Sequence, residues 1–292
     1  MKPTGIGRPI FQWGSRTYVM GILNMTPDSF SGDGIMSREH PIQAAVDQAR
    51  DFLADGADIL DIGGESTRPG AAALGAEEEA ARVLPVIRAL AAAFPDAVLS
   101  IDTYKARVAR EAFEAGAHML NDVWGLRADA ELAGVAAEYG AAVILMHNRS
   151  DPNSLEVRGR LGSAYRGSQY GNLLEDVKRE LMESVEIARQ AGIEDSRIIL
   201  DPGIGFGKTR EQNLKLVNHL DEIRALGYPV LVGPSRKSFI GYTLEAPPDQ
   251  RVEGTAAVVA VAILRGADII RVHDVHEMAR VAKMTDALLR SN

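Results

Sequence analysis

Along the chain one unit recurs: a helical stretch, a glycine, a small residue, then a run of apolar β-formers ending on a polar side chain. It reads DGADILDIG, AGAHMLNDV, YGAAVILMH, LGYPVLVGP and RGADIIRVHD, with AGIEDSRIILDPG as a longer variant. The glycine of each unit stands where a helix needs a left-handed C-terminal residue before the chain turns into a strand. The apolar runs are continuous and do not alternate. That marks strands buried on both faces, and therefore a parallel sheet covered by helices. Adding the runs at MGILN and SIDT gives eight predicted strands: Tyr18 to Leu23, Ala57 to Ile62, Val98 to Ile101, Met119 to Leu120, Ala142 to Met146, Ile198 to Leu200, Val230 to Val232 and Ile269 to Val272. Amphipathic helices separate them, most clearly from Leu173 to Ala191, where Leu174, Val177, Leu181, Val185 and Ala188 share one face. Eight βα units without a linker predict one α/β domain over residues 1–292, a closed (β/α)₈ TIM barrel, with an open doubly wound sheet as the alternative. The lead-in IFQWGSRTYV, with Gly14 and Ser15 between two β-prone runs, predicts an N-terminal β-hairpin that plugs the barrel's N-terminal end.

In such a barrel the chemistry lies where strands end at the C-terminal rim. The residues there are Asn24, Asp61, Asp102, Asn121 with Asp122, His147, Asp201, Ser235 to Lys237, and Arg271 with His273. A single polar residue at such a place only marks where a strand leaves the core. Eight at one rim predict a ligand site. Asp102, Asn121 and Asp201 are hydrogen-bond acceptors or mixed groups suited to a flat, N–H-rich heterocycle, because a guanidine-like edge pairs with a carboxylate through two parallel bonds. Arg68, Lys237, Arg271 and His273 form a cationic subset suited to an anion, and the last two strands of a barrel are a frequent phosphate site.

Composition narrows the chemistry. The 292 residues are 46% hydrophobic and 25% charged, with net charge −8 and no cysteine. Disulfides, thiolate metal sites and a cysteine nucleophile are excluded. The acidic balance argues against a nucleic-acid surface. The longest apolar run, Ala256 to Leu264, is half of the ~18 residues a membrane span requires, and no signal-peptide core opens the chain, so a cytoplasmic enzyme is expected. Two apparent motifs are discounted. The run from Gly203 to Thr209 ends like a P-loop, but Pro202 occupies the place of the first glycine. His273 and His276 lack a third partner for a metal; His276 is read as a surface residue, and His118 and His147 as satisfied core histidines.

At these loops the chain resembles the dihydropteroate synthase family over nearly its whole length. The segments MGILNMTPDSFSGDG, DIGGESTRPGA, SIDT, LNDV, MHNR, DPGIGFGK, VGPSRKSFIG and RVHDV occur in family order, each after a different predicted strand. The resemblance implies a (β/α)₈ enzyme of folate synthesis, usually a homodimer, that joins hydroxymethyl-dihydropterin pyrophosphate to para-aminobenzoate with Mg²⁺. It assigns Asn24 to the metal, and Asp102, Asn121, Asp201 and Lys237 to the pterin. Thr67, Arg271 and His273 go to the pyrophosphate. Phe30, Thr67, Arg68, Pro69 and Ser238 go to the loops and rim that receive aminobenzoate, which sulfonamides occupy in this family. Met146 and Phe206 join the substrate-binding set. Lys237, Arg271, His273 and Asp102 are the implied catalytic residues, and Asp61 stands nearby without a clear role.

Two departures are visible. The first loop reads DSFSGDG where the family often has DSFSDGG, which leaves the place of Asp33 open. The segment 149–171 is long, basic and glycine-rich and does not show the family's usual pattern; it is read as a disordered excursion in preference to a lid delivering Arg158, Arg160 or Arg166. A pterin-dependent methyltransferase and a non-catalytic pterin-binding paralogue are the competing functions. The first has no use for the anion subset, and the second is disfavoured because no motif position is visibly lost.

Overall fold

Each glycine-led apolar run forms a strand at its predicted place. In the computed structural model, which describes residues 1, 4–7, 10–27, 34–67, 70, 71, 73–151 and 154–291, the strands are β1 (Tyr18–Asn24), β2 (Ile59–Gly63), β3 (Val98–Asp102), β4 (Met119–Asp122), β5 (Ala142–Met146), β6 (Ile198–Asp201), β7 (Leu231–Val232) and β8 (Ile269–Val272). They hydrogen-bond in the order β6-β5-β4-β3-β2-β1-β8-β7, all parallel. A parallel bridge between Leu200 and Val230 joins β6 to β7 and closes the ring, so the open-sheet alternative falls. Closure leaves no free sheet edge to invite pairing with another chain. The helices that cover the strands are α1 (Pro41–Ala54), α2 (Ala76–Ala93), α3 (Ala106–Glu114), α4 (Leu132–Glu138), α5 (Leu173–Gln190), α6 (Arg210–Asn218), α7 (Leu220–Arg224), α8 (Ser238–Leu244), α9 (Val252–Leu264) and α10 (Val275–Leu289).

Strand parity divides the core in two. Leu23, Leu60, Ile62, Leu99, Ile101, Leu120, Val143, Leu145, Leu200 and Ile270 face outward and pack with the helices. Met20, Ile59, Val98, Met119, Ala142, Ile144, Ile199, Leu231 and Ile269 face the barrel axis. Side chains alternate with a period of two, so the axis-facing set continues at the C-terminal rim as Ile22 and Asn24, Asp61, Asp102, Asn121, Met146, Asp201 and Arg271. The same count sends Asp122 and His147 to the helix side, although they too are polar residues at strand ends.

The N-terminal hairpin is present, with its arms shifted from the predicted place. Thr4–Gly5 pairs antiparallel with Ile10–Phe11. The run after Gly14 cannot be the second arm because it enters the barrel as β1, with Tyr18 opposite Ile269. Gly14 instead lies in the turn leading into β1, at φ +82°, where Ser15 N–H donates to Gln12 O at 3.0 Å. Ile6 and Phe11 do plug the barrel's N-terminal end: both are buried and pack with the axis-facing residues of the strands, the Phe11 and Tyr18 rings lying 4.6 Å apart. No helix among the described residues is long and apolar enough to cross a membrane.

Candidate functional site

The floor of the C-terminal mouth is a bonded set of axis-facing side chains. Arg271 donates from Nε to Asp61 Oδ2 at 2.6 Å and from Nη2 to Asp102 Oδ2 at 2.7 Å. Asn121 Nδ2 donates to the same Asp61 oxygen at 2.9 Å. Asp61 is fully buried, and its other oxygen has no partner among the described residues. Two carboxylates thus share one guanidinium, leaving one excess negative charge in a poorly solvated place. Burial pushes the Asp102 carboxyl up to about 7, against the pull of Arg271. The folded chain therefore holds a proton there between about pH 4, the ordinary carboxyl value, and pH 7, where the unfolded chain has released it. This group's contribution to stability is consequently lost as pH rises through that window. Urea midpoints at pH 4.5 and 7.5 are expected to fall less with pH in Asp102→Asn than in the parent chain; equal falls would contradict the assignment.

Asp201 stands across the floor from this group. Its Oδ1 accepts the Gly203 N–H at 2.7 Å. Burial raises its pKa, and Lys237 is the strongest opposing influence. Lys237 is held down to about 8 by burial, against the attraction of Asp201. Its ammonium donates to Ile204 O and lies 4.6 Å from the centre of the Phe206 ring, a cation–π distance. The loop after β6 reaches this lysine only because of its glycines. A Cβ on Gly205 would fall 2.8 Å from Lys237 Cδ, and one on Gly203 would fall 1.9 Å from His147 O. Both have positive φ, at +87° and +69°.

Lys208, the residue that lends this loop its P-loop likeness, is turned away from the mouth. It is 3% exposed, and its ammonium donates to Gly203 O and Phe206 O at 2.9 and 3.0 Å and meets His147 Nδ1 at 3.0 Å. It ties the loop to the strand ends, with its ammonium engaged by two carbonyls and a ring nitrogen. His147 lies in the core, with Nδ1 against Lys208 and Nε2 3.1 Å from Glu180 Oε2 but making no hydrogen bond among the described residues, so it is buried as expected and only half satisfied; burial together with the Lys208 charge keeps it neutral, near 2. Asp122 is likewise structural, accepting the N–H groups of Trp124 and Leu126. His118 accepts the Leu99 N–H at 3.2 Å, and His276 sits exposed in α10 against Asp55.

Beside the floor rises a second wall. His273 meets Ser235 Oγ through Nδ1 at 2.9 Å and the Asn24 amide nitrogen through Nε2 at 3.4 Å. That orientation turns the Asn24 amide oxygen, a hard donor, elsewhere than toward His273. Asn24, Thr67, Asp102, Phe206, Lys237, Ser238, Arg271 and His273 all line one cavity. Asn121, Asp201 and Met146 do not line it and lie buried at the strand ends beneath it. Phe30, Arg68 and Pro69, with Asp33, lie outside the described residues.

The segment 149–171 contradicts the expectation of a disordered excursion. Leu155–Val157 pairs antiparallel with Ser163–Tyr165, and Leu161, Gly162, Ser163 and Tyr165 form part of the cavity wall. Nor does it deliver its arginines. Arg158 pairs with Glu156, Arg160 reaches Glu245 O and Arg166 reaches Leu155 O, and none of the three lines the cavity. The sequence signal was available in two β-prone triplets, LEV and SAY, on either side of the glycines at 159 and 162. The inner role of Asp61, the Ser235–His273 contact and the cavity-lining Arg251 were also missed.

The chain matches a family model described as pterin binding enzyme over residues 20–273. It is 49% identical over 286 residues to the dihydropteroate synthase of Clostridium beijerinckii, covering 98% of this chain and 99% of that one. To the dihydropteroate synthase of Bacillus subtilis it is 48% identical over 274 residues, covering 94% and 89%. Among solved structures it is similar to a Clostridium difficile dihydropteroate synthase crystallised with pteroic acid, at TM-score 0.86 and 45% identity over 96% of this chain and all of that one. It is also similar to the Yersinia pestis enzyme in complex with a sulfonamide drug, at TM-score 0.89 and 41% identity over 99% and 100% of the two chains.

Proposed function

The chain belongs to the pterin-binding enzyme family, among the dihydropteroate synthases, and from that premise we propose how its residues carry the family's reaction. The substrates are hydroxymethyl-dihydropterin pyrophosphate and para-aminobenzoate; the products are dihydropteroate and pyrophosphate. The observation that carries this reading is the placement of Asp102 and Arg271 beside a wall of Asn24, His273 and Ser235 in one cavity, with the Asp61 carboxylate and Asn121 amide bonded to that pair at the strand ends beneath it.

The Asp201 carboxylate receives the amino and amide N–H edge of the pterin, with Asn121 and Asp102 completing the pairing and Lys237 over the opposite edge. Such charge-assisted pairs are roughly twice as strong as neutral ones. The pyrophosphate lies toward Thr67, Arg271 and His273. The bond from the pterin methylene to the pyrophosphate oxygen breaks and its electron pair leaves with the oxygen. The neutral amine nitrogen of aminobenzoate forms the new C–N bond and sheds one proton to solvent. No protein nucleophile is required, and the cationic side chains act by stabilising the departing charge. In a largely dissociative displacement, bond breaking leads.

Asn24 fits a place in the shell of Mg²⁺, which when bound neutralises charge on the leaving pyrophosphate. Mg²⁺ ordinarily keeps several waters and takes other ligands from substrate phosphates. A single amide oxygen at the wall suits that habit, and the described residues contain no group of three or more His, Asp or Glu side chains able to hold a metal on their own. Purified chain given both substrates and Mg²⁺ is expected to release dihydropteroate and pyrophosphate in equal amounts, and chelation is expected to stop it. Absence of dihydropteroate would overturn the reading.

A homodimer is supported by the outer face of α9 and α10. Val261 and Leu264 on α9, and Met284, Leu288 and Leu289 on α10, are 38–60% exposed. An apolar patch of that kind on packed neighbouring helices suits a self-complementary contact with a second copy. Sedimentation equilibrium is expected to give twice the chain mass, reverting to one in Leu264→Glu/Leu288→Glu; a monomeric parent chain would refute it.

A further inference from the structure

The hairpin between β5 and α5 is the part of the mouth to which the family resemblance assigns nothing, and it is tied down at three separate places. At its tip, Arg251 donates from Nη2 to Leu161 O at 2.9 Å, and the same guanidinium donates from Nη1 to Arg236 O at 2.8 Å and from Nε to Ala246 O at 3.0 Å. Arg251 is only 3% exposed, so this fork joins the tip to both ends of α8 with little contact with solvent. Tyr242 adds a hydroxyl donated to Gly162 O at 3.4 Å, and Arg158 lies over its ring at 4.4 Å. At its base the hairpin meets the loop after β2: Tyr165 donates to Thr67 O at 3.3 Å, and a Cβ on Gly70 would stand 3.2 Å from Leu155 Cδ1. On the third side the Tyr165 ring stacks toward Phe206, with centroids 6.5 Å apart and planes 29° apart, and Ser168 N–H donates to Gly207 O at 2.9 Å.

These ties put Leu161 and Tyr165 on the wall of the cavity that Ser238, Pro248 and Phe206 also line, with the Tyr165 ring against Phe206. This part of the cavity thus carries the apolar and aromatic side chains of Leu161, Tyr165, Phe206 and Pro248 next to the cationic Lys237. A flat arylamine suits it, since aromatic pairs gain by offset stacking beyond the area they bury. We infer that the Leu155–Tyr165 hairpin is a fixed outer wall of the second-substrate subsite, in which Tyr165 contacts the arene and Arg251 is a positioning residue that sets the hairpin's tip. The inference rests on the condensation reading above. The wall has two tasks: it receives the arene, and it keeps water from the pterin methylene. Water reaching that carbon would form the C–O bond in place of nitrogen, expel pyrophosphate and lose a proton, giving hydroxymethyl-dihydropterin.

The test uses the full chain and three variants: Tyr165→Ala, Arg251→Lys, and a shortened hairpin with residues 156–164 replaced by two glycines. In Tyr165→Ala the KM for aminobenzoate is expected to rise about tenfold, the size of a lost aromatic contact, while the KM for the pterin pyrophosphate stays within about twofold of the parent. The shortened chain is expected to do the same and also to release more than one pyrophosphate per dihydropteroate. Arg251→Lys keeps the charge but not the three-carbonyl fork, and is expected to lie between the parent and the shortened chain. Variants with an unchanged aminobenzoate KM and one-to-one product ratios would overturn the inference while leaving the reaction standing. Equal rises in both KM values would also overturn it, by showing a merely structural role. A parent chain that makes no dihydropteroate would overturn the reaction itself and this inference with it.

Discussion

Arg271→Ala is expected to lower kcat/KM on the order of 10³-fold, the size of losing one preorganised charge donor or more, and to lower stability by about 3–5 kcal/mol, the cost of breaking a buried ion pair. From the sequence, Arg271 belongs to an anion subset separate from the ring-binding Asp102, and its loss would chiefly harm use of the pyrophosphate. The structure joins the two subsets, because the guanidinium is bonded to Asp61 and Asp102 at once. Removing it leaves the buried Asp61 and the partly buried Asp102 carboxylates without the cation they share, so the pterin floor is expected to fail together with the anion wall. Urea unfolding with calorimetric titration of a pterin analogue checks this. An unchanged midpoint, or unchanged pterin affinity beside damaged pyrophosphate use, would restore the division into separate subsets. Arg271→Lys should recover part of the stability and little of the rate, since a point charge cannot hold both carboxylates in fork geometry.

Asp201→Asn is expected to act chiefly on binding. One carboxylate oxygen already accepts from Gly203 N–H, a bond that the amide oxygen can keep. The other side of the group would present an N–H₂ donor to the donor edge of the pterin, exchanging an attraction for a repulsion. Truncating or mismatching one member of a buried, charge-assisted pair costs about 3–4 kcal/mol, two to three orders of magnitude in affinity. Stability is expected to change less than in Arg271→Ala, because relief of a costly carboxylate burial is offset by the counter-charge that Lys237 and Lys208 lose. Titration with a pterin analogue and a urea curve on the same preparation decide it; an affinity within tenfold of the parent would refute the assignment of Asp201 to the pterin edge.

These two residues show how far the chain could be read directly. Asp201 was identifiable because a strand of four apolar-to-polar positions ends on it and the local glycines make a loop after it. Arg271 was equally visible at its own strand end, yet its partners lie 169 and 210 residues away in sequence. No local pattern encodes a bond of that separation; it arises when the ring closes and places β8, β2 and β3 around one axis. His147 and Asp122 make the converse point. They carry the same strand-end signal as Asn121 and Asp201, and parity alone sends them to the helix side, where one meets Lys208 and the other closes a turn. Segment 149–171 looked structureless because its strands are three residues long. Such short pairs hold only when other parts of the rim bond to them, as Arg251 and Tyr242 do here.

By itself the sequence determined the eight-strand barrel, the rim on which the chemistry stands and the family to which the chain belongs. Each follows from short-range regularities: a glycine that ends a helix, an apolar run buried on both faces, a polar residue where the run leaves the core, and motifs in a fixed order. Only the tertiary structure decided which strand-end residues look down the axis, that Arg271 binds the two carboxylate strands together, and that a hairpin forms part of the cavity wall. The physical reason is the same in each case. Those facts depend on contacts between segments distant in the chain, and their energies exist only after the ring has closed and brought those segments around one axis.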